Sequence, residues 1–174
     1  MKIKATLLEE SAIRRSLMRI AHEIIERNKG ADNVCIVGVR RKGAVLADII
    51  AKNIDTIEGV TVPVGYIDTR YYRDDLEIKE GSPAELPFSI KGMKVVLVDD
   101  VLFTGRTARA AIEAVFSMGR PDCIQLAILI DRGHRELPIR PDYIGKSVPT
   151  SKNEVIKVLI PPYEEETGVL LLEK

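Results

Sequence analysis

Hydrophobic residues follow two different spacings along the chain, one helical and one typical of buried strands. In residues 11–28, apolar side chains recur every three or four positions on one helix face, at Ile13, Leu17, Ile20 and Ile24. Similar patterns predict helices over residues 44–54 and 108–118. Continuous apolar runs of strand length cover residues 34–39, 60–67, 95–98 and 123–130. Strands that alternate with helices predict an α/β fold, in which a parallel sheet is covered on both faces.

A polar segment over residues 68–89 interrupts this pattern. A loop of about twenty residues in a compact domain is typical of a lid or binding loop, or of a disordered insertion, and both interpretations stay open. Short strands are expected around residues 143–144, 155–160 and 169–172. With 174 residues and 45% hydrophobic content, the chain should form one domain, residues 1–174, with a full hydrophobic core.

Composition and charge narrow the class of protein. The formal net charge is zero, which argues against a generic polyanion binder. No apolar run approaches the ~20 residues of a membrane span, and the N-terminus lacks a signal-peptide core. We therefore expect a cytoplasmic protein without membrane contact. Cys35 and Cys123 fall in predicted strands and should be buried core residues rather than a disulfide or a metal site.

The segment over residues 95–107 carries the clearest candidate chemistry. A predicted strand runs into two carboxylates, Asp99 and Asp100, and a loop ending in Thr-Gly-Arg-Thr then leads into a helix. The first N–H groups of a helix lack helical partners and bind phosphate, while carboxylates can bind the hydroxyls of an attached sugar. The segment therefore predicts a phosphosugar site.

Two further polar residues, Arg40 and Asp131, directly follow predicted strands. Ligands bind beyond the carboxyl ends of parallel strands, so we expect both residues near Asp99. Other phosphate and catalytic patterns are absent from the chain: the Walker motif, the Gly-x-Gly-x-x-Gly turn, the Asp-x-Asp pair of aspartyl-phosphate enzymes at the end of strand 95–98, and the nucleophile elbow of hydrolases.

Residues 95–107 resemble the signature of the phosphoribosyltransferases that use phosphoribosyl pyrophosphate (PRPP). The resemblance implies the type I phosphoribosyltransferase fold, with a central, mostly parallel sheet flanked by helices, a small hood, and a flexible loop (here residues 68–89) over the active site. It implies that Asp99 and Asp100 are catalytic and hold the ribose hydroxyls, with Mg²⁺ bound through PRPP and both carboxylates as candidate contacts. The residues implied in binding the phosphate are Val101, Leu102, Phe103, Thr104, Gly105, Arg106 and Thr107.

The same resemblance assigns a role to two other segments. The basic loop after strand 34–39 would bind pyrophosphate through Arg40, Arg41, Lys42 and Gly43. Positive charge suits this role because the leaving pyrophosphate must be neutralised. Arg73 is a further catalytic candidate, because the family's mobile loop closes over PRPP and excludes water.

A narrower resemblance rests on residues 130–143, which include Asp-Arg-Gly-His-Arg-Glu-Leu-Pro, and on shorter matches at 12–15, 19–23, 72–76, 119–121 and 148–152. These residues resemble a family of bifunctional bacterial regulators of pyrimidine operon attenuation that are also uracil phosphoribosyltransferases. The resemblance implies that uracil and PRPP react to give UMP and pyrophosphate, with Asp131 and Arg132 facing uracil. His134 is a candidate general base, although a solvated or hydrogen-bonded surface role is favoured.

As regulators, members of that family bind the leader RNA of the pyrimidine operon when UMP or UTP fills the nucleotide site. The residues implied in RNA binding are Arg15, Arg19, His22, Arg27, Arg140, Lys146 and Lys152. A homodimer or higher homo-oligomer is implied as well. Two alternatives stay open: a salvage phosphoribosyltransferase for uracil or another base with no RNA role, and a regulator whose transferase activity is vestigial. Transcription attenuation and translation control are not distinguished by the residues.

Overall fold

A parallel sheet of five strands lies at the centre of the computed structural model, which describes residues 1–174. Its strands are β2 to β6, and their order across the sheet is β3-β2-β4-β5-β6. In chain order the elements are β1 (Lys2–Glu9), α1 (Glu10–Asn28), β2 (Val34–Val39), α2 (Lys42–Glu58), β3 (Val64–Ile67), a 3-10 turn (Arg70–Tyr72), β4 (Lys94–Leu102), α3 (Arg106–Met118), β5 (Cys123–Asp131), β6 (Tyr143–Ser147), β7 (Glu154–Leu159) and β8 (Gly168–Glu173).

Helices cover both faces of this sheet, as the sequence predicts. Alternate residues of β4 point to opposite faces, so Val96 and Val98 pack in the same cluster as the apolar faces of α1 and α2. Val95 and Leu97 pack in a second cluster with the alanine-rich face of α3. No helix in the structure combines the length and the apolar character that crossing a membrane requires.

The remaining strands form a separate antiparallel sheet in the order β1-β8-β7, which we call the hood. Strands β7 and β8 agree with the sequence prediction, whereas β1 was not predicted. Most side chains of β1 are exposed, and its pairing partner β8 lies at the other end of the chain, with Lys2 opposite Glu173. A strand with little burial leaves only a weak alternation in the sequence.

Other boundaries differ from the prediction in ways that affect the site. Strand β4 continues to Leu102, with Asp99 paired to Ile128 and Val101 to Ile130 of β5, so the two carboxylates lie within the strand. Helix α2 begins at Lys42, two residues earlier than predicted. Strand β3 begins at Val64, directly after Pro63.

Two expectations about individual segments also need correction or refinement. Cys123 is exposed at the first position of β5, so only Cys35 is the buried core residue that the sequence predicts for both. Residues 68–89 contain no strand, and the 3-10 turn is their only regular element.

Gly38 of β2 lets α2 approach the sheet closely. A Cβ atom at this position would lie 2.6 Å from the Cα of Ala44, 2.7 Å from the carbonyl oxygen of Gly43 and 2.8 Å from the Cβ of Ala47. Two of these atoms belong to backbone, so the clash could be relieved only by moving the helix.

We therefore expect Gly38→Ala to lower the free energy of unfolding by about 3 kcal/mol, because overpacking forces a backbone shift. Denaturant unfolding of the ligand-free protein measures this loss. Gly59→Ala is the matched control, since Gly59 has open space around it and a φ of 67°, so only backbone strain of about 1 kcal/mol is expected there. An equal loss in the two variants would contradict the packing argument.

Candidate active site

A cleft of about 900 Å³ opens at the carboxyl ends of β2 and β4. The residues that line it are Val39, Arg40, Arg41, Asp68, Thr69, Arg70, Arg73, Asp99, Asp100, Val101, Thr107 and Tyr163. The strand ends therefore bring the predicted carboxylates and the predicted basic loop to one place. Parallel topology accounts for this, because β2, β4 and β5 are neighbours and run in the same direction.

Asp99 and Asp100 are held by hydrogen bonds to the strand backbone. The backbone N–H of Asp100 donates to Asp99 Oδ1 at 2.8 Å, and the N–H of Val101 donates to Asp100 Oδ1 at 2.8 Å. Desolvation, together with the neighbouring charge of Asp100, raises the pKa of the Asp99 carboxyl well above its usual range, against a smaller opposing effect of Arg73. The ligand-free cleft thus holds a carboxyl group that binds a proton more tightly than an exposed aspartate.

The loop before α3 forms a second, smaller cavity of about 140 Å³ that adjoins the carboxylates. Gly105 adopts a φ of 91°, which favours glycine, and the helix starts at Arg106. Arg73 Nη1 donates to the hydroxyl of Thr107 at 2.9 Å. The cavity is lined by Arg73, Asp99, the residues from Val101 to Gly105 and Thr107, together with the apolar residues Val39, Ala108, Ala111, Leu126 and Ile128. A helix N-terminus beside an arginine is suited to a phosphate group. The side chain of Arg106 instead contacts Glu136 and Asp74.

The basic loop divides into residues that line the cleft and residues that do not. Arg40 and Arg41, joined by a cis peptide bond, both line it. Lys42 does not, because its Nζ donates to the carbonyl oxygen of Val158 and, at 3.2 Å, to Glu164 Oε1. Gly43 packs against β4, where a Cβ atom would lie 2.5 Å from the Val98 carbonyl oxygen. The structure therefore gives Lys42 a contact with the hood instead of the expected place in the cleft.

Residues 68–89 are attached to α3 at their N-terminal end. Tyr72 is buried, its hydroxyl lies 2.9 Å from Ser117 Oγ, and it accepts a hydrogen bond from the N–H of Ala84 at 2.9 Å. Arg73 pairs with Asp75, with Nε at 2.6 Å from Oδ1. Residues 74–83 are exposed. Arg73 therefore stands at the fixed end of this segment and faces both cavities.

A pocket of about 390 Å³ lies beyond the end of β5, at the predicted uracil position. Asp131 lines it but is paired with Arg135, whose Nη2 lies 2.6 Å from Asp131 Oδ2. Arg132 also lines it, yet its guanidinium is buried and donates to Thr150 Oγ1 at 3.0 Å and to the Glu154 carbonyl oxygen at 2.8 Å. The side chain of Arg132 thus connects β5 to the hood.

Two neighbours of Arg132 complete this region. The guanidinium carbon of Arg132 lies 4.0 Å from the ring centroid of Phe103, and burial lowers the pKa of Arg132. His134 Nε2 lies 2.5 Å from the Thr150 carbonyl oxygen, as the hydrogen-bonded interpretation of this histidine predicts.

Sequence analysis did not identify Arg135, which contacts three parts of the site. Besides pairing with Asp131, its Nη1 donates to the carbonyl oxygen of Phe103 at 2.9 Å and its Nε to that of Ile139 at 2.9 Å. The N–H of Glu136 also donates to the Thr104 carbonyl oxygen at 2.9 Å. Residues 131–139, which we call the connecting segment, therefore hold the loop before α3 and the end of β5 together. Only its position after a strand could have indicated this role.

The residues implied in RNA binding differ in their contacts. Arg19 donates to the carbonyl oxygens of Ile144 and Gly145 in β6, at 3.1 and 2.7 Å. Arg27 pairs with Asp142 at 2.7 Å, and Lys146 Nζ lies 3.4 Å from the Leu7 carbonyl oxygen. The others are exposed and donate no side-chain hydrogen bond: Arg15, His22, Arg140 and Lys152.

Comparison with known proteins places this chain in a family. The model of the phosphoribosyl transferase domain matches residues 5–164. The chain is 54% identical over 177 aligned positions to the bifunctional protein PyrR of Clostridium botulinum, covering 99% of this chain and 98% of the relative. It is 56% identical to the bifunctional protein PyrR of Pelotomaculum thermopropionicum, covering 98% and 96%. The chain belongs to the PyrR family.

Solved structures show how widely this fold of the PyrR family is shared. The hypoxanthine phosphoribosyltransferase of Trypanosoma cruzi aligns with a TM-score of 0.77 at 20% identity, over 98% of this chain and 97% of that chain. That of Staphylococcus aureus aligns with a TM-score of 0.71 at 22% identity, over 88% and 82%. At this identity the likeness concerns the fold, and it confirms the type I phosphoribosyltransferase architecture that the sequence predicts.

For this PyrR-family protein we expect Asp99→Asn to stabilise the ligand-free form at pH 7. A carboxyl whose pKa is raised on folding favours the folded state below its unfolded pKa, and this contribution is lost as the pH rises through its folded pKa. Removing the ionisable group should therefore raise the free energy of unfolding and Tm at pH 7, and the gain should disappear towards pH 4, where the carboxyl is protonated in the folded and unfolded states alike.

Thermal unfolding across this pH range checks the expectation. Asp122→Asn is the control, because Asp122 is an exposed aspartate that does not line the cleft. A destabilised Asp99→Asn variant at pH 7 would contradict the assigned direction of the pKa shift.

Proposed function

We propose that this protein transfers ribose 5-phosphate from PRPP to uracil and also binds the leader RNA of a pyrimidine operon, in transcription attenuation, when UMP or UTP fills the same cleft. One observation carries the proposal: Asp99 and Asp100 near the end of β4 face one cleft together with Arg40 and Arg41, and a helix N-terminus faces the smaller cavity that adjoins these carboxylates. Full-length identity above 50% to bifunctional relatives supports both roles. We also propose that the protein is cytoplasmic, because that is where PRPP, uracil and the leader RNA would be found.

Each part of the cleft suits one part of PRPP. The loop from Val101 to Thr107 would hold the 5-phosphate, Asp99 and Asp100 the ribose hydroxyls, and Arg40 and Arg41 the pyrophosphate. As the bond from ribose C1 to pyrophosphate breaks, the bond from C1 to uracil N1 forms and the N1 proton is released. Arginines that face the leaving group stabilise the charge that develops on it.

Arg73 would act from the edge of the cleft. It touches Thr107 of the phosphate loop and lines both cavities, so it can contact the phosphate or the leaving group as residues 74–83 close. Closure would exclude water from a ribosyl centre that is otherwise open to hydrolysis.

The uracil subsite would be the pocket at the end of β5. Its lining is Asp131, Arg132, Gly133, His134, Arg135, Ser147, Pro149 and Thr150. The Arg132 guanidinium already donates hydrogen bonds to Thr150 and to Glu154 of the hood. We therefore assign base recognition to Asp131 and to main-chain groups, and we assign to Arg132 the role of fixing the position of the connecting segment.

The residues also fit a Mg²⁺ ion that arrives with PRPP. No group of three or more His, Cys, Asp or Glu side chains forms a dedicated metal cage, and only carboxylates of the cleft are available as protein ligands. Mg²⁺ commonly binds through one or two carboxylates together with substrate phosphates and water. Asp99 and Asp100 would hold it, and it would supply neutralisation of the pyrophosphate charge.

We expect purified protein to consume PRPP with uracil and far less with hypoxanthine, guanine or adenine. Asp100→Asn should lower turnover at least about 100-fold, because it weakens a contact to the reacting sugar. Release of pyrophosphate measures both effects, with Asp122→Asn as the control. Preference for a purine base would replace this proposal with a salvage enzyme for that base, and absence of turnover with any base would leave the regulator alone.

RNA binding would use the outer face of α1 and the neighbouring end of β6. Arg19 donates to β6, Arg27 to the residue before β6, and Lys146 to β1. These contacts fix the three side chains but leave them fewer free hydrogen-bond donors. Arg15 and His22 are exposed without such contacts. A neutral chain with this local basic face fits recognition of one folded RNA element. A homodimer or higher homo-oligomer, which we also propose, would present more than one such face.

We expect Arg15→Gln to weaken binding of a pyrimidine leader hairpin and to reduce the salt dependence of binding by about one counterion, without changing Tm. Gel-shift titration with and without UMP measures this effect. Arg120→Gln is the matched control, since Arg120 is an exposed arginine at the opposite end of the sheet, before β5. RNA affinity that does not respond to UMP or UTP would argue against the regulatory role.

A further inference from the structure

A turn from the hood reaches the cleft beside the basic loop. It follows β7 and contains Tyr163, whose side chain is one of the few large hydrophobic groups left exposed, at 38% of its surface. Tyr163 lines the same cleft as Asp99 and Asp100. The ring thus lies at the site although the turn that carries it connects two strands of the other sheet.

The ring of Tyr163 supports Arg41. The guanidinium carbon of Arg41 lies 4.7 Å from the ring centroid, within the range of a cation–π contact. Arg40 similarly lies 5.7 Å from the ring centroid of Tyr66. Neither arginine donates a side-chain hydrogen bond or pairs with a carboxylate, whereas Arg70, Arg73 and Arg106 all pair with aspartates.

This difference has a chemical consequence for the cleft. A carboxylate partner would fix an arginine but would use its N–H donors and cancel its charge. An aromatic face fixes the guanidinium and leaves all five N–H donors free. The Arg41 guanidinium is therefore held in the cleft with all its donors free to bind an anion.

The turn that carries Tyr163 is itself held in place. The N–H of Tyr163 donates to the Ile160 carbonyl oxygen at 3.0 Å, and the N–H of Ile160 donates to Glu164 Oε2 at 3.3 Å. The other carboxylate oxygen of Glu164 accepts from Lys42, the residue after Arg41, at 3.2 Å. Lys42 and Tyr163 thus connect the basic loop to the hood at two neighbouring points.

We infer that Tyr163 is a positioning residue of the pyrophosphate site, which holds the Arg41 guanidinium in the cleft with its donors free for the diphosphate group. The inference rests on the proposed function, because it names a residue that acts on the same site. Tyr163 acts through Arg41, so its contribution depends on the presence of Arg41.

The test measures the KM for PRPP, the KM for uracil, kcat, and the Kd for inorganic pyrophosphate with Mg²⁺. We expect Tyr163→Ala to raise the KM for PRPP and the Kd for pyrophosphate about three- to fivefold, as loss of a cation–π contact predicts, with the KM for uracil unchanged. Tyr163→Phe keeps an aromatic face and should behave like the unaltered protein. Tyr163→Leu keeps apolar volume without that face and should behave like Tyr163→Ala.

A double-mutant cycle shows whether the effect passes through Arg41. In the Arg41→Ala background, Tyr163→Ala should have no further effect on pyrophosphate binding. Phe116→Ala is the control for loss of an exposed aromatic ring, since Phe116 lies on α3 outside the cleft and is 59% exposed. It should leave all four constants unchanged.

Three results would overturn the inference while leaving the proposed function intact: unaltered pyrophosphate binding in Tyr163→Ala, full activity in Tyr163→Leu, or additive effects of the Tyr163 and Arg41 substitutions. If the unaltered protein binds neither PRPP nor pyrophosphate, the proposed function itself is overturned. The two failures are therefore distinguishable in one set of measurements.

Discussion

Placing two adjacent carboxylates near the end of a buried parallel strand costs free energy, because each charge loses water and repels the other. The structure limits this cost locally. Asp99 and Asp100 accept backbone hydrogen bonds within β4, and Arg73 stands nearby as the counter-charge that opposes the raised pKa of Asp99. A ligand that donates hydroxyl hydrogen bonds to the two carboxylates, together with a cation, could offset the remaining cost of desolvation and repulsion. Neighbouring parts of the fold, from the basic loop to the loop before α3, are arranged around this pair.

The arginines around the carboxylates fall into two electrostatic classes. Arg70 and Arg73, which line the cleft, and Arg106, which does not, each have an aspartate partner within the protein. Arg40 and Arg41 contact tyrosine rings and have no carboxylate partner, so no neighbouring negative charge compensates their positive charge. A pocket that is neutral at its border and positive at one end favours an anion in one orientation, with its most highly charged group at the basic loop.

Much of the fold and part of the site could be predicted from the sequence, because both depend on local patterns. Helical and strand periodicity gave the order of elements, and parallel topology placed Arg40, Asp99 and Asp131 at one edge of the sheet. The directions of Lys42 and Arg132 could not be predicted, since each side chain is bound by the hood, far away along the chain. Cys123 was misassigned because the first residue of a strand can lie outside the buried part of the sheet.

The connecting segment has a thermodynamic consequence for ligand recognition. Arg135 joins Asp131 at one pocket to the Phe103 carbonyl beside the other, and Glu136 joins the same segment to Thr104. The pocket at the end of β5 and the loop before α3 therefore share one piece of backbone, so a ligand that orders one of them would also order the other. A molecule that carries both a base and a phosphate would bear the free-energy cost of ordering this backbone once, whereas a free base and a free phosphate would each bear the full cost. Under the proposed function, this shared backbone would favour an intact nucleotide over a mixture of its fragments.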